Sequence, residues 1–182
     1  MKIALVSGSL RKGSYNTSLL REIEALLPEG VEVSWVNIDL PIYNNDIDVP
    51  GQVPEAAALA RAQVRDADAV LISTPEYNYA IAGGVKNLLD WVSRPPQENF
   101  WRGKLVAVIG ASPSFAGTAR GQAMTKTAFM LVGARLFTEM EVLVAAAHDR
   151  FDASGRLEDA QTREVVENFT NKLVAFVKHE QR

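Results

Sequence analysis

The sequence predicts an α/β domain in three layers: a five-stranded parallel sheet with helices on both faces. Three observations predict it. Short apolar runs alternate five times with longer segments of helical periodicity. The apolar runs are nearly continuous, as in strands buried on both sides. No linker, low-complexity tract or fixed-period repeat interrupts the 182 residues, so one domain over 1–182 holds the whole pattern.

The elements follow in order. Residues 2–7 form an apolar run that ends at Gly8. Residues 16–27 place Leu19, Leu20, Ile23, Leu26 and Leu27 at helical spacing, and Pro28 and Gly30 close that helix. Val31, Val33 and Trp35 alternate as a strand does. Residues 37–52 are rich in Asp and Pro and read as a loop, in which Asp46 and Asp48 are expected to be solvated. Residues 54–65 are Ala-rich and helical, and 69–72 form a buried-type strand that runs into Ser73-Thr74-Pro75. Val85, Leu88, Leu89 and Val92 mark a helix stopped by Pro95-Pro96. A strand at 105–110, a helix at 119–131, an extended stretch at 135–144 and a last helix at 158–177 complete the alternation.

Composition removes several function classes. The chain has no Cys, which excludes disulfides, thiolate nucleophiles, cysteine zinc sites and iron–sulfur ligation. A reducing cytoplasm suits it. The net charge of −3 gives no basic face for nucleic acid, and the apolar N-terminal run is too short for a membrane span. His148 and His179 are the only histidines and lie far apart in sequence, so no metal site is expected. Trp91 and Trp101 read as core residues.

Open parallel sheets bind ligands beyond the carboxyl ends of their strands, where the strand order reverses. That directs attention to residues 8–17, 74–84 and 110–121. The first loop reads Gly8-Ser9-Leu10-Arg11-Lys12-Gly13-Ser14-Tyr15-Asn16-Thr17 and opens a helix. An anion site there needs free backbone N–H groups, short polar side chains and glycine bends. Ser9, Ser14, Asn16 and Thr17 supply donors, and Arg11 adds a charged contact. Neither G-x-x-x-x-G-K-[ST] nor G-x-G-x-x-G fits the spacing. The same residues also suit a plain polar turn in which Ser14 or Asn16 caps the helix.

The second loop reads Thr74-Pro75-Glu76-Tyr77-Asn78-Tyr79, then Ala80-Ile81-Ala82-Gly83-Gly84-Val85-Lys86-Asn87. Tyr77 and Tyr79 offer an aromatic wall, Pro75 stiffens the turn, and backbone N–H groups from Glu76 to Tyr79 are placed to meet a polar ring edge. A tyrosine turn packed on itself fits the composition equally. In the third loop Ser112 is the foremost polar candidate, and Arg120 follows at the next helix.

The run G-S-L-R-K-G-S-Y-N resembles the phosphate loop of the NADPH-dependent FMN reductase family, which has the flavodoxin-like fold. P-E-Y-N-Y followed by G-G-x-K-N resembles that family's second signature, although Ala80 and Ala82 stand where the family usually has Ser and Pro. The loop around Ser112 is similar to the family's glycine-rich loop over the flavin. The resemblance extends over nearly the whole chain.

It implies a flavodoxin-like domain that binds FMN, with NAD(P)H as co-substrate. Ser9, Arg11, Ser14, Asn16 and Thr17 would meet the phosphate, with Tyr15 beside them, and Pro75, Glu76, Tyr77, Asn78, Tyr79 and Ser112 would surround the ring. The family's ping-pong hydride scheme requires no catalytic side chain, since the cofactor carries the redox chemistry. The implied acceptors are quinones, with free flavin, azo and nitro compounds or chromate in the same class. The implied assembly is a homodimer or homotetramer, and the implied location is the cytoplasm. A flavodoxin-type electron carrier is the alternative, disfavoured by Arg11-Lys12 and the mild net charge. A cofactor-free interaction domain on the same fold is a third reading.

Overall fold

The computed structural model describes residues 1–180. Its sheet holds β1 (Lys2–Ser7), β2 (Glu32–Trp35), β3 (Ala69–Ser73), β4 (Leu105–Ala111), β5 (Arg135–Leu136) and β6 (Leu143–Val144). Five helices connect or flank them: α1 (Tyr15–Leu26), α2 (Glu55–Asp66), α3 (Gly83–Val92), α4 (Ala119–Leu131) and α5 (Ala160–Glu180). The order is β2-β1-β3-β4-β5 with every pairing parallel, and β6 also pairs with β4. This is the 2-1-3-4-5 order of the flavodoxin-like fold, with its switch point between β1 and β3.

Side chains of the central strands alternate between two cores, as the two-residue period requires. Ile3 and Leu5 of β1, Leu71 of β3 and Ala107 and Ile109 of β4 pack with α1 and α5 through Leu19, Leu20, Ile23, Phe169 and Leu173. Ala4 and Val6, Val70 and Ile72, and Val106 and Val108 face the other way, against α2, α3 and α4 through Val64, Leu88, Trp91 and Phe129. Burying each such Leu, Ile, Val or Phe contributes about 1.5–3 kcal/mol. Trp91 and Trp101 are fully buried, as expected. The indole N–H of Trp91 donates to Pro41 O at 2.7 Å, and that of Trp101 to Leu89 O at 3.2 Å.

Two expectations are corrected. The extended stretch at 135–144 is two short strand segments rather than one strand. Phe137 N–H still donates to Val106 O, and Val142 O still accepts from Gly110 N–H. Between them Thr138-Glu139-Met140-Glu141 leaves the ladder, while Phe137 and Val142 remain buried. The second correction concerns Asp48. Its side chain is 3% exposed and paired with Arg61 at 2.7 Å, whereas Asp46 is exposed as expected. Arg61 also donates to Trp91 O at 2.8 Å, so the pair fastens the 37–52 loop to α2 and α3.

Candidate functional site

The three loops at the carboxyl ends of β1, β3 and β4 converge on one cleft of about 430 Å³. Ser9, Arg11, Ser14, Tyr15 and Asn16 form one wall, Pro75, Glu76 and Tyr77 a second, and Ala111, Ser112 and Pro113 a third. Nine of the twelve residues singled out in the sequence therefore meet here. Thr17, Asn78 and Tyr79 do not line it. Ala111 and Pro113 do, and were not singled out; the switch-point rule pointed at their loop, but neither carries a polar side chain to mark it.

Close approach of the loops requires glycine at two positions. A Cβ on Gly8 would lie 2.9 Å from both Pro75 Cδ and Val85 Cγ2. On Gly110 it would lie 2.0 Å from Thr118 Oγ1 and 2.4 Å from Thr74 O. Both glycines let the loop backbones draw together beneath the cleft.

In the first loop Ser14 is the N-cap of α1, its Oγ accepting from Asn16 N–H at 3.2 Å and Thr17 N–H at 3.4 Å. Its own hydroxyl proton remains for a ligand, so capping and anion binding are compatible in one residue. Among the described residues, none accepts a hydrogen bond from the backbone N–H of Lys12, Gly13, Ser14 or Tyr15. Those donors sit at the N-terminus of a twelve-residue helix with no acidic residue in its first turn. The Arg11 guanidinium lies 5.6 Å from the Tyr15 ring centroid, on the same side of the loop. Free donors, a positive helix end and an arginine together suit a phosphate monoester.

Asn16 also has a structural task. Its carboxamide is buried and bonds Ala111 N and Ala111 O, each at 3.0 Å, and Ser73 Oγ at 2.9 Å. The side chain is thus a brace between the three loops, and its second Nδ2 hydrogen has no protein acceptor among the described residues, so the brace and a phosphate contact are compatible. Thr17 Oγ1 pairs with Ser7 Oγ at 2.7 Å and borders a separate hollow with Arg21, Glu24 and Trp35.

In the second loop Tyr77, Asn78, Tyr79 and Ala80 make a tight turn, with Ala80 N–H donating to Tyr77 O at 3.1 Å. Both central residues have positive φ, 51° at Asn78 and 64° at Tyr79. Asn tolerates this region, but Tyr rarely enters it, and such residues store roughly 1–3 kcal/mol each. Tyr77 OH reaches Ser9 Oγ at 3.3 Å and links the first two loops. The rings of Tyr77 and Tyr79 are exposed, as are the side chains of Leu10 in the first loop and Phe115 in the third.

The Glu76 side chain does not face an empty cleft. Its Oε2 accepts from Arg120 N–H at 2.8 Å and Gly121 N–H at 2.9 Å, and Arg120 Nη1 approaches Oε1 at 3.4 Å. The Arg120 guanidinium in turn lies 4.6 Å over the Tyr79 ring. Arg120 is therefore tied to the second loop. No signal in the sequence could have joined residues 44 positions apart.

Another cleft, about 460 Å³, lies at the opposite end of the strands beside Arg65, Asp66, Asp68, Arg102, Lys104 and Arg135. There Lys104 Nζ donates to Arg65 O and Ala67 O, and burial pulls its pKa down. Its neighbours Arg65 and Arg135 are paired with Asp66 and Glu180. Its place at the amino ends of the strands disfavours it as the ligand site. Among the described residues no cluster of His, Asp and Glu could hold a metal ion, and no helix is long and apolar enough to cross a membrane. His148 and His179 are exposed at the surface.

Comparison with known proteins agrees with this geometry. The family model described as NADPH-dependent FMN reductase matches residues 1–149. An NAD(P)H-dependent FMN reductase of Pseudomonas aeruginosa is 40% identical over 179 residues, which cover 98% of this chain and 96% of the relative. A 2-hydroxy-1,4-benzoquinone reductase of a Burkholderia species is 37% identical, covering 98% of this chain and 97% of the relative. Among solved structures, the flavoenzyme NAD(P)H:(acceptor) oxidoreductase of Paracoccus denitrificans superposes with a TM-score of 0.89 at 34% identity. That match covers 98% of this chain and 97% of the other.

Proposed function

The chain belongs to the NADPH-dependent FMN reductase family, and on that premise we propose that it oxidises NAD(P)H and reduces quinones through FMN held in the three-loop cleft. The observation that carries the reading is the first loop: four consecutive backbone donors without protein acceptors, beside Arg11 and the Ser14 hydroxyl. We assign the phosphate to these groups and to Ser9. The ring we assign to the space between Pro75-Glu76-Tyr77 and Ala111-Ser112-Pro113, with backbone N–H groups of the 76–79 turn at its polar edge.

When bound, FMN supplies the two-electron chemistry; the chain supplies binding, orientation and exclusion of water. Arg11 and the helix end neutralise the phosphate. Gly8 and Gly110 bring the loops close enough to leave a narrow slot. The flavodoxin-type carrier is not favoured, since the full-length relatives named above are reductases.

The acceptor class is taken from relatives named as quinone reductases. A homodimer or homotetramer is supported by the exposed apolar rim. Leu10 and Ile42 border a groove with Ile38, Leu40 and Gly84 beside the first loop, and a second subunit would cover it. A cytoplasmic location suits an enzyme fed by reduced nicotinamide and lacking cysteine.

The test is an anaerobic absorbance titration of FMN-loaded protein with NADPH or NADH, followed by a benzoquinone. A flavin band that bleaches with reduced nicotinamide and returns with quinone is expected. A bound flavin that neither nucleotide bleaches would restore the carrier reading, and protein that takes up no FMN would remove the cofactor assignment.

A further inference from the structure

Helix α4 begins without a cap of its own. Its N-cap residue, Thr118, makes no side-chain cap bond. The Thr118 hydroxyl is buried and bonded to Gln122 Nε2 at 2.9 Å, so it is turned inward. The missing acceptor comes from the second loop: Glu76 Oε2 takes the N–H groups of Arg120 and Gly121. This carboxylate is 9% exposed and sits where the helix end is most positive.

The turn that follows Glu76 needs a restraint. Asn78 and Tyr79 both hold positive φ, a conformation that persists only when the surroundings over-determine it. Arg120 provides a second tie, with its guanidinium over the Tyr79 ring and its Nη1 toward Glu76 Oε1. Gly121 lets the two segments touch. A Cβ there would meet Pro75 O, Ala80 O and Glu76 Cβ, each at 3.2 Å.

We propose that Glu76 is a positioning residue: its side chain clamps the 77–80 turn to the N-terminus of α4 and so presets the turn's backbone N–H groups for the flavin ring. The role belongs to the carboxylate as a cap, with the Arg120 ion pair secondary, because that pair is longer and its arginine is exposed. The proposal rests on the cofactor assignment above only for its consequence in binding; the clamp itself is a property of the protein without ligand.

Two measurements test it on the full chain, with wild type, Glu76→Ala, Glu76→Gln and Arg120→Ala. The first is amide hydrogen exchange of the FMN-free proteins. Glu76→Ala should speed exchange at Ala80, Arg120 and Gly121, whose N–H groups are bonded in the clamp, at least tenfold while leaving β1 and β3 unchanged. The second is FMN titration by flavin fluorescence quenching. Glu76→Ala should weaken binding about tenfold or more, whereas Glu76→Gln, whose amide oxygen still accepts from the helix end, should stay within about threefold. Arg120→Ala should fall between them. Unchanged exchange in Glu76→Ala, or a Gln variant as impaired as Ala, would overturn the proposal. Failure of wild type to bind FMN would instead overturn the cofactor assignment, and the exchange result would still decide the clamp.

Discussion

Asn16 and Ala111 exchange two hydrogen bonds: Nδ2 donates to the Ala111 carbonyl and Oδ1 accepts from the Ala111 N–H, each at 3.0 Å. The carboxamide thereby satisfies both backbone polar groups of Ala111 at the end of β4. With its bond to Ser73 Oγ at 2.9 Å, it ties the first loop to the ends of β3 and β4. This buried side chain helps to hold the cleft walls in register.

Removing it should therefore damage the fold and the site together. Asn16→Ala would strand the Ala111 peptide and the Ser73 hydroxyl in a buried setting, at a cost of about 3 kcal/mol. Asn16→Asp retains both acceptor bonds but sets a carboxylate oxygen against the Ala111 carbonyl, so it should also destabilise. Urea denaturation of the two variants checks this; an unfolding midpoint unchanged from wild type for Asn16→Ala would show that the brace is dispensable.

Arg11 and Ser14 should separate binding from stability. Arg11 is exposed and makes no ion pair among the described residues, so Arg11→Ala should leave the melting temperature unchanged. A charged hydrogen bond contributes about 1.5–3 kcal/mol, so the same change should weaken FMN binding roughly 10- to 100-fold. Ser14→Ala loses the α1 cap as well, and should cost about 1 kcal/mol of stability besides affinity. Parallel thermal melts and FMN titrations distinguish the two profiles.

Much of this was legible in the sequence, and the limits have physical causes. Local periodicity located the helices within three residues of their observed ends, because apolar spacing reports burial directly. The switch-point rule found all three loops, because their position follows from topology. What escaped were interactions closed by distant partners. Asn16 beside Ser14 looks the same whether it donates to phosphate or braces Ala111, 95 residues away. Glu76 carries no sign that it caps α4. Asp48 looked solvated because its partner, Arg61, lies in the next helix, across the rest of the loop. The break at 138–141 has no local mark, because an extended stretch does not reveal which of its residues pair.

Acid should loosen the start of α5 through Asp159. Its carboxylate accepts from the hydroxyl and N–H of Thr162 and is paired with Arg150 at 2.7 Å. These bonds, the Thr162 hydroxyl foremost, hold its pKa below the usual carboxylate value. Asp159 therefore contributes stability above its unfolded pKa, about 3.9, and that contribution is lost as pH falls through the lower folded value. Melting temperatures recorded between pH 7 and pH 2 should fall less on the acid side for Asp159→Asn than for wild type. Identical acid limbs would show that other carboxylates govern the loss.

The entry to α3 offers a gain rather than a loss. Ala82 is its N-cap residue, with φ −64° and ψ 134°, and no described residue accepts a hydrogen bond from its N–H. Proline fixes φ near that value and has no N–H to leave unsatisfied. Ala82→Pro should then restrict the unfolded chain at little expense to the folded one, adding about 0.4–1 kcal/mol. For a domain of this size that is a rise of about 1–4 °C in melting temperature. The residue is buried at 1% exposure, so the added ring must fit into a packed wall. A melting temperature that falls would mean the packed wall has no room for the two added ring carbons, and the alanine is there for its size. A rise, with FMN affinity unchanged or tighter, would mean that the loop entering α3 is a place where the family's usual residue stiffens the site.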